Sequence, residues 1–142
     1  MIRRIKKEFE TSNILSNSEY NEDTKKLTFT YKNCLNVMIT LNIHYPFRPP
    51  ENLHINARKI YYSKIGNGQA LLKYFNIVCL CCVSILCPNN WNCTYRFEKI
   101  MEEYEIYKTI SNSSVVLDYI EKNNLLPSEI LHIIARFCGD KL

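Results

Sequence analysis

The chain has 142 residues, 46% of them apolar and ten of them tyrosine, with a formal net charge of +4. That length supports one domain with its own core and is short for two, and no stretch approaches the roughly 20 apolar residues of a membrane span. The mild charge is not gathered into an Arg/Lys stripe interleaved with aromatics, so neither a membrane nor a nucleic acid is expected as a partner.

The opening stretch sets Ile2, Ile5 and Phe9 at helical spacing among Arg3, Arg4, Lys6 and Lys7, which predicts a short amphipathic helix with a basic, solvated face. Its charge is followed by no apolar run, unlike a secretory signal. The expectation is a cytoplasmic or nuclear protein whose thiols stay reduced. The odd count of seven cysteines agrees, because seven cannot all pair internally. Ile, Asn and Lys are abundant while Ala and Gly occur three times each, a bias that suggests an A/T-rich genome such as that of a large DNA virus or a parasite.

Residues 13–23 are polar and aperiodic, a loop with one short edge strand near Tyr20. From Lys26 the period becomes two. Leu27, Phe29 and Tyr31 alternate with polar neighbours, and after a polar turn Val37, Ile39, Leu41 and Ile43 do the same. This predicts a β-hairpin covered on one face. The prolines of "HYPFRPP" stop the second strand, and Leu53 and Ile55 supply a further one. Residues 57–75 give no clean period; "GNG" marks a turn, and "QALLKYF" reads as a helical turn or a packed loop. Past Trp91 the period returns to helical. Phe97, Ile100, Met101, Tyr104 and Tyr107 predict a long helix from about Thr94 to Thr109, followed by two shorter helices at "SSVVLDYIEK" and "PSEILHIIARFCG". The fold class is α+β in a single domain, residues 1–142, with a basic first helix, an antiparallel meander of about four strands, a cysteine segment and C-terminal helices.

Five of the seven cysteines fall within residues 79–93, beside the sole tryptophan. Cys79-x-x-Cys82 has the form of a zinc half-site, but the remaining pair, Cys87 and Cys93, is too widely spaced for the usual second knuckle and no histidine lies in the segment. No metal or other cofactor is therefore expected. Cys34, Cys81, Cys87 and Cys138 are expected as small core residues, since unpaired cysteine is among the most buried residue types.

Two stretches together carry a family likeness. "NVMITLNIHYPFRPPENLHIN" resembles the strand, Tyr-Pro-Phe-Lys-Pro-Pro turn and strand of ubiquitin-conjugating enzymes, and "VCL…SILCPNNWNCTYRFEKIMEEY" resembles their Cys-Leu-Asp-Ile-Leu segment with its following tryptophan and helix. The likeness covers most of residues 2–110, leaving 111–142 divergent. It implies a UBC-like fold and a protein that takes a ubiquitin-like modifier from an activating enzyme as a thioester. The modifier would then pass to a substrate lysine with the help of a RING-type ligase. The nucleophile is either Cys79, which has the family's immediate neighbours, or Cys82, which has its downstream frame through Ile85 and Leu86; the frame favours Cys82. Phe47, Asn92, Cys93 and Thr94 fall at ligase-contacting positions, with a core phenylalanine as the plain alternative for Phe47. Arg3, Arg4 and Lys7 fall on the helix that meets the activating enzyme, and Tyr45, Pro46, Pro49 and Trp91 read as structural. The sequence departs from the family in lacking a His-Pro-Asn element before the cysteines; Asn67 and Asn76 stand in the wrong context. That departure keeps a catalytically inactive binding adaptor of the same fold, or an RWD-like module, as alternatives.

Overall fold

The computed structural model describes residues 2–65 and 68–139. Asn67, with the centre of the "GNG" turn, lies outside them. The order of elements is α1 (Ile2–Glu10), β1 (Leu15–Asn21), β2 (Lys26–Tyr31), β3 (Leu35–Thr40), β4 (Asn52–Ile55), β5 (Arg58–Lys59), α2 (Gly68–Phe75), α3 (Leu80–Val83), α4 (Phe97–Lys122) and α5 (Ser128–Gly139), with a short 3-10 turn at Tyr62–Lys64. The protein is α+β, with one antiparallel sheet in the order β1-β2-β3-β4-β5. The residues form two compact units, one of residues up to 60 together with 84–102, the other of 61–83 together with the remainder of the chain.

In the first unit the period-two alternation produces the expected pairing. Leu27 faces Ile39 and Phe29 faces Val37 in register, and all four are buried with Leu53 and Ile55 from β4. Five strands replace the four expected. β5 is added because Asn56 and Ala57, both with positive φ, make a two-residue reversal that pairs Ile55 with Arg58. β1 is longer than the edge strand expected near Tyr20, and Asn17, also at positive φ, sits in the irregularity between Ser16 and Glu19. Ile43 does not continue the β3 alternation. The strand ends at Thr40, and Ile43 is exposed in the turn before Tyr45. α1 covers the apolar face of the sheet through Phe9, whose ring lies 5.4 Å from Phe29 and 6.0 Å from Phe97.

The second unit has a core of Ala70, Tyr74, Leu117, Leu131 and Ala135, built where α2 packs on α5. α4 runs unbroken where two helices were expected at 94–109 and 113–122. The run Ser111-Asn112-Ser113-Ser114 has low helix propensity, but its buried stripe continues through Ile110, Ser114 and Leu117, and burial outweighs propensity. Ser114 directs its hydroxyl back to the Ser111 carbonyl at 2.7 Å, which satisfies the polar group inside the helix. α4 then stops at a Schellman end: Asn124 takes positive φ and Leu125 N–H donates to the Ile120 carbonyl at 3.0 Å. Pro127 opens α5 as the sequence predicts, its carbonyl accepting from Ile130 and Leu131. No helix among the described residues is long and apolar enough to cross a membrane.

Candidate functional site

Two groups of candidate residues form, one in each unit. In the first, the proline turn and the tryptophan meet. Trp91 Nε1–H donates to the Pro46 carbonyl at 2.7 Å, and the Trp91 and Tyr45 rings lie 6.2 Å apart. Tyr45 is buried and stacks on Phe97 at 5.8 Å. Burial, followed by the nearby Glu8 carboxylate, holds its phenol well above the ordinary range, so it stays protonated. Tyr45 and Trp91 are thus packing residues, as the sequence suggests. Phe47, two positions on, is 81% exposed. It borders a groove of about 660 Å³ shared with Arg48, Pro49, Leu86 and Pro88. The core alternative for Phe47 is therefore excluded.

Arg4 is placed differently from a solvated basic residue. Its guanidinium donates to Glu8 Oε1 at 2.9 Å, to the Cys93 carbonyl and to the Tyr95 carbonyl at 2.7 Å, and lies 5.5 Å from the Tyr45 ring centroid. These bonds hold the segment before α4 against α1. Arg3 and Lys7 are exposed as expected. Asn92, Cys93 and Thr94 are exposed too, and the Asn92 side-chain oxygen accepts from both the backbone and the hydroxyl of Thr94 at 2.9 Å, fixing a tight Asx turn. Lys7, Cys93 and Thr94 line one shallow groove with Arg96. Arg4 and Lys7 of α1 thus share this groove with Cys93 and Thr94, whereas Phe47 borders the other one.

The second group is the cysteine segment. Ile77 and Leu80 are buried and anchor it, leaving Val78 and Val83 exposed. Cys82 N–H donates to the Cys79 carbonyl at 3.2 Å, so one turn of chain sets residues 79 and 82 side by side. Cys79 and Cys81 are joined as a disulfide, where the sequence suggests seven reduced thiols. Cys82 keeps its thiol, is exposed, and lies 3.8 Å sulfur to sulfur from Cys81. The expectation of buried cysteines fails throughout. All seven lie among the described residues, yet Cys34 is exposed and Cys81, Cys87 and Cys138 are only half-buried. Apolar neighbours, and not the sulfurs, fill the core.

Asn76, the asparagine closest before the cysteines, has positive φ at the end of α2, and its N–H donates to the Leu72 carbonyl at 3.1 Å. It is a helix-terminating residue. Two residues the sequence did not single out hold the site's framework. Glu8, buried on α1, accepts from Phe97 N–H at 3.0 Å. In the second unit Glu121 accepts from the Tyr74 hydroxyl at 2.7 Å and pairs with Lys73. The bonds to Phe97 and Tyr74 reach far along the chain, beyond any local spacing; only the i,i+4 pairing of Glu8 with Arg4 was a local signal.

No family model, no curated protein and no solved structure matches this chain.

Proposed function

We propose that this chain is a divergent ubiquitin-conjugating protein that carries ubiquitin or a ubiquitin-like modifier as a thioester on Cys82. The observation that carries the reading is the bond from the Trp91 indole to the Pro46 carbonyl. It joins the two motifs on which the resemblance rests, and the order of a basic helix, an antiparallel meander, a cysteine segment and a long helix is compatible with it. Cys82 is preferred over Cys79 because its thiol is exposed, whereas Cys79 is held in a disulfide. In the transfer, the Cys82 thiolate attacks the modifier's thioester carbonyl on the activating enzyme. That enzyme's thiol leaves, and no redox change occurs. Phe47 then offers an exposed apolar contact to a ligase.

A second reading, a binding adaptor without catalysis, is favoured by Asn76. The family's asparagine stabilises the oxyanion of the transfer step, but Asn76 is committed to ending α2.

Incubation with activating enzyme, ATP and ubiquitin tests the two. The enzyme reading expects an adduct that thiol reductants remove, retained in Cys79→Ser and converted to a reductant-resistant oxyester, or abolished, in Cys82→Ser. No adduct with any modifier leaves the adaptor. An adduct lost in Cys79→Ser moves the nucleophile to that residue.

A further inference from the structure

The sulfurs of Cys79, Cys81 and Cys82 all lie within 4.8 Å of one another, and among the described residues no carboxylate or imidazole joins them. The trio falls within four residues, with Leu80 buried between its members and Ile77 buried just before them; two of its sulfurs are joined in the disulfide and the third lies beside them. Sulfurs each bound about 2.3 Å from a metal lie about 3.8–4.0 Å apart across tetrahedral or trigonal angles. The Cys81 and Cys82 sulfurs already lie 3.8 Å apart.

From this we propose that the reduced trio is a binding site for one soft, closed-shell cation, and that Cu(I) is the ion it fits best. An all-thiolate donor set selects Cu(I) and zinc over harder ions. Structural zinc takes a fourth protein ligand to close its tetrahedron, and among the described residues none joins the cluster, whereas a three-sulfur set completes a trigonal Cu(I) site. The Cys79–Cys81 disulfide closes the site. Opening it takes a dithiol reductant, whose electron pair and two hydrogens pass to Cys79 and Cys81 as the reductant leaves as a cyclic disulfide. Cu(I) then displaces the three thiol protons. The site is independent of the thioester reading, although a metal on Cys82 and a thioester there exclude one another.

The test is an anaerobic titration of the reduced full chain with Cu(I) against bathocuproine disulfonate, followed by iodoacetamide and peptide mapping. The expected result is one Cu(I) withdrawn from the chelator per chain. Cys79, Cys81 and Cys82 should then be protected from alkylation, while the exposed Cys34 and Cys93 react. Cys81→Ser should weaken Cu(I) binding by more than about 100-fold, the upper end of what losing even an outer-shell partner costs a metal site. Re-forming the Cys79–Cys81 disulfide should abolish binding. The proposal is overturned if reduced protein withdraws no copper, if Cys81→Ser binds as tightly as the wild type, if protection falls on other cysteines, or if Zn2+ displaces the bound Cu(I).

Discussion

The Glu8 carboxylate caps a helix that begins 89 residues later, accepting the Phe97 N–H at 3.0 Å while Arg4 donates to its other oxygen at 2.9 Å. A helix start leaves its first N–H groups without partners and carries a partial positive charge. A buried carboxylate answers both. Glu8→Ala should therefore lower the unfolding free energy by about 2–3 kcal/mol, and Glu8→Gln, which keeps one acceptor, by about 1 kcal/mol. Urea denaturation measures both. Equal losses in the two variants would mean that the charge, and not the acceptor, is what matters.

The Trp91–Pro46 bond predicts a similar asymmetry. Trp91→Phe keeps an aromatic ring beside Tyr45 but removes the donor, leaving the Pro46 carbonyl without it. The expected loss is about 1–2 kcal/mol. Trp91→Ala also removes the ring's packing and should cost about 3–5 kcal/mol. If Trp91→Phe is neutral in denaturation, the hydrogen bond contributes nothing to the turn's stability.

The meander was legible in the sequence because period two marks a half-covered sheet wherever Leu27, Phe29, Val37 and Ile39 stand. Its partner residues are close along the chain. The unbroken α4 was not legible, since Ser111 to Ser114 read as a break until the burial of Ile110, Ser114 and Leu117 is known. The cysteine segment misled for a related reason. Cysteine is usually a buried residue, but here Ile77 and Leu80 take the interior positions and push the sulfurs outward. Arg4 read as one of several solvated charges, because its acceptors at Cys93 and Tyr95 lie some 90 positions away. The proline turn and Trp91 could each be seen as structural, yet nothing in their spacing announced that they touch.

At Asn76 the backbone conformation predicts a sharp ordering of variants. Positive φ is open to glycine and tolerable for asparagine, and it costs other residues roughly 1–2 kcal/mol. Asn76→Gly should keep or slightly raise stability, and Asn76→Ala should lower the melting temperature. Thioester formation, if present, should survive Asn76→Gly. Its loss in a folded Asn76→Gly protein would give the asparagine side chain a chemical role.

The Tyr74–Glu121–Lys73 cluster makes stability depend on pH at both ends. Burial first, then the bond to Glu121, pushes the Tyr74 phenol up to about 12. The folded state holds this proton more tightly than the unfolded chain, so the contribution is complete below the ordinary phenol value of 10.0 and is lost as pH rises toward about 12. Glu121 is held below the ordinary carboxylate range, first by Lys73 and then by Tyr74. Its contribution is complete above that range and is lost as pH falls through the folded value. Glu121→Gln should flatten the acid limb of a stability profile and lower the Tyr74 titration midpoint followed by ultraviolet absorbance. An unchanged midpoint would show that burial alone sets the Tyr74 value.

Phe47 separates a binding role from a packing one. Its ring is 81% exposed at the mouth of the groove formed with Arg48, Pro49, Leu86 and Pro88. A buried phenylalanine cut to alanine costs about 3–5 kcal/mol, whereas an exposed one should change stability by no more than about 0.5 kcal/mol. Phe47→Ala is therefore expected to unfold at the wild-type urea concentration. An exposed aromatic gains its energy only when a partner covers it, as binding hot spots do. Under the ubiquitin-conjugating reading, the same variant should still load modifier on Cys82, which lies outside this groove's lining, yet should lose RING-stimulated discharge to lysine. Measuring loading and discharge separately decides the matter. A variant that loads and discharges like the wild type removes Phe47 from the ligase contact.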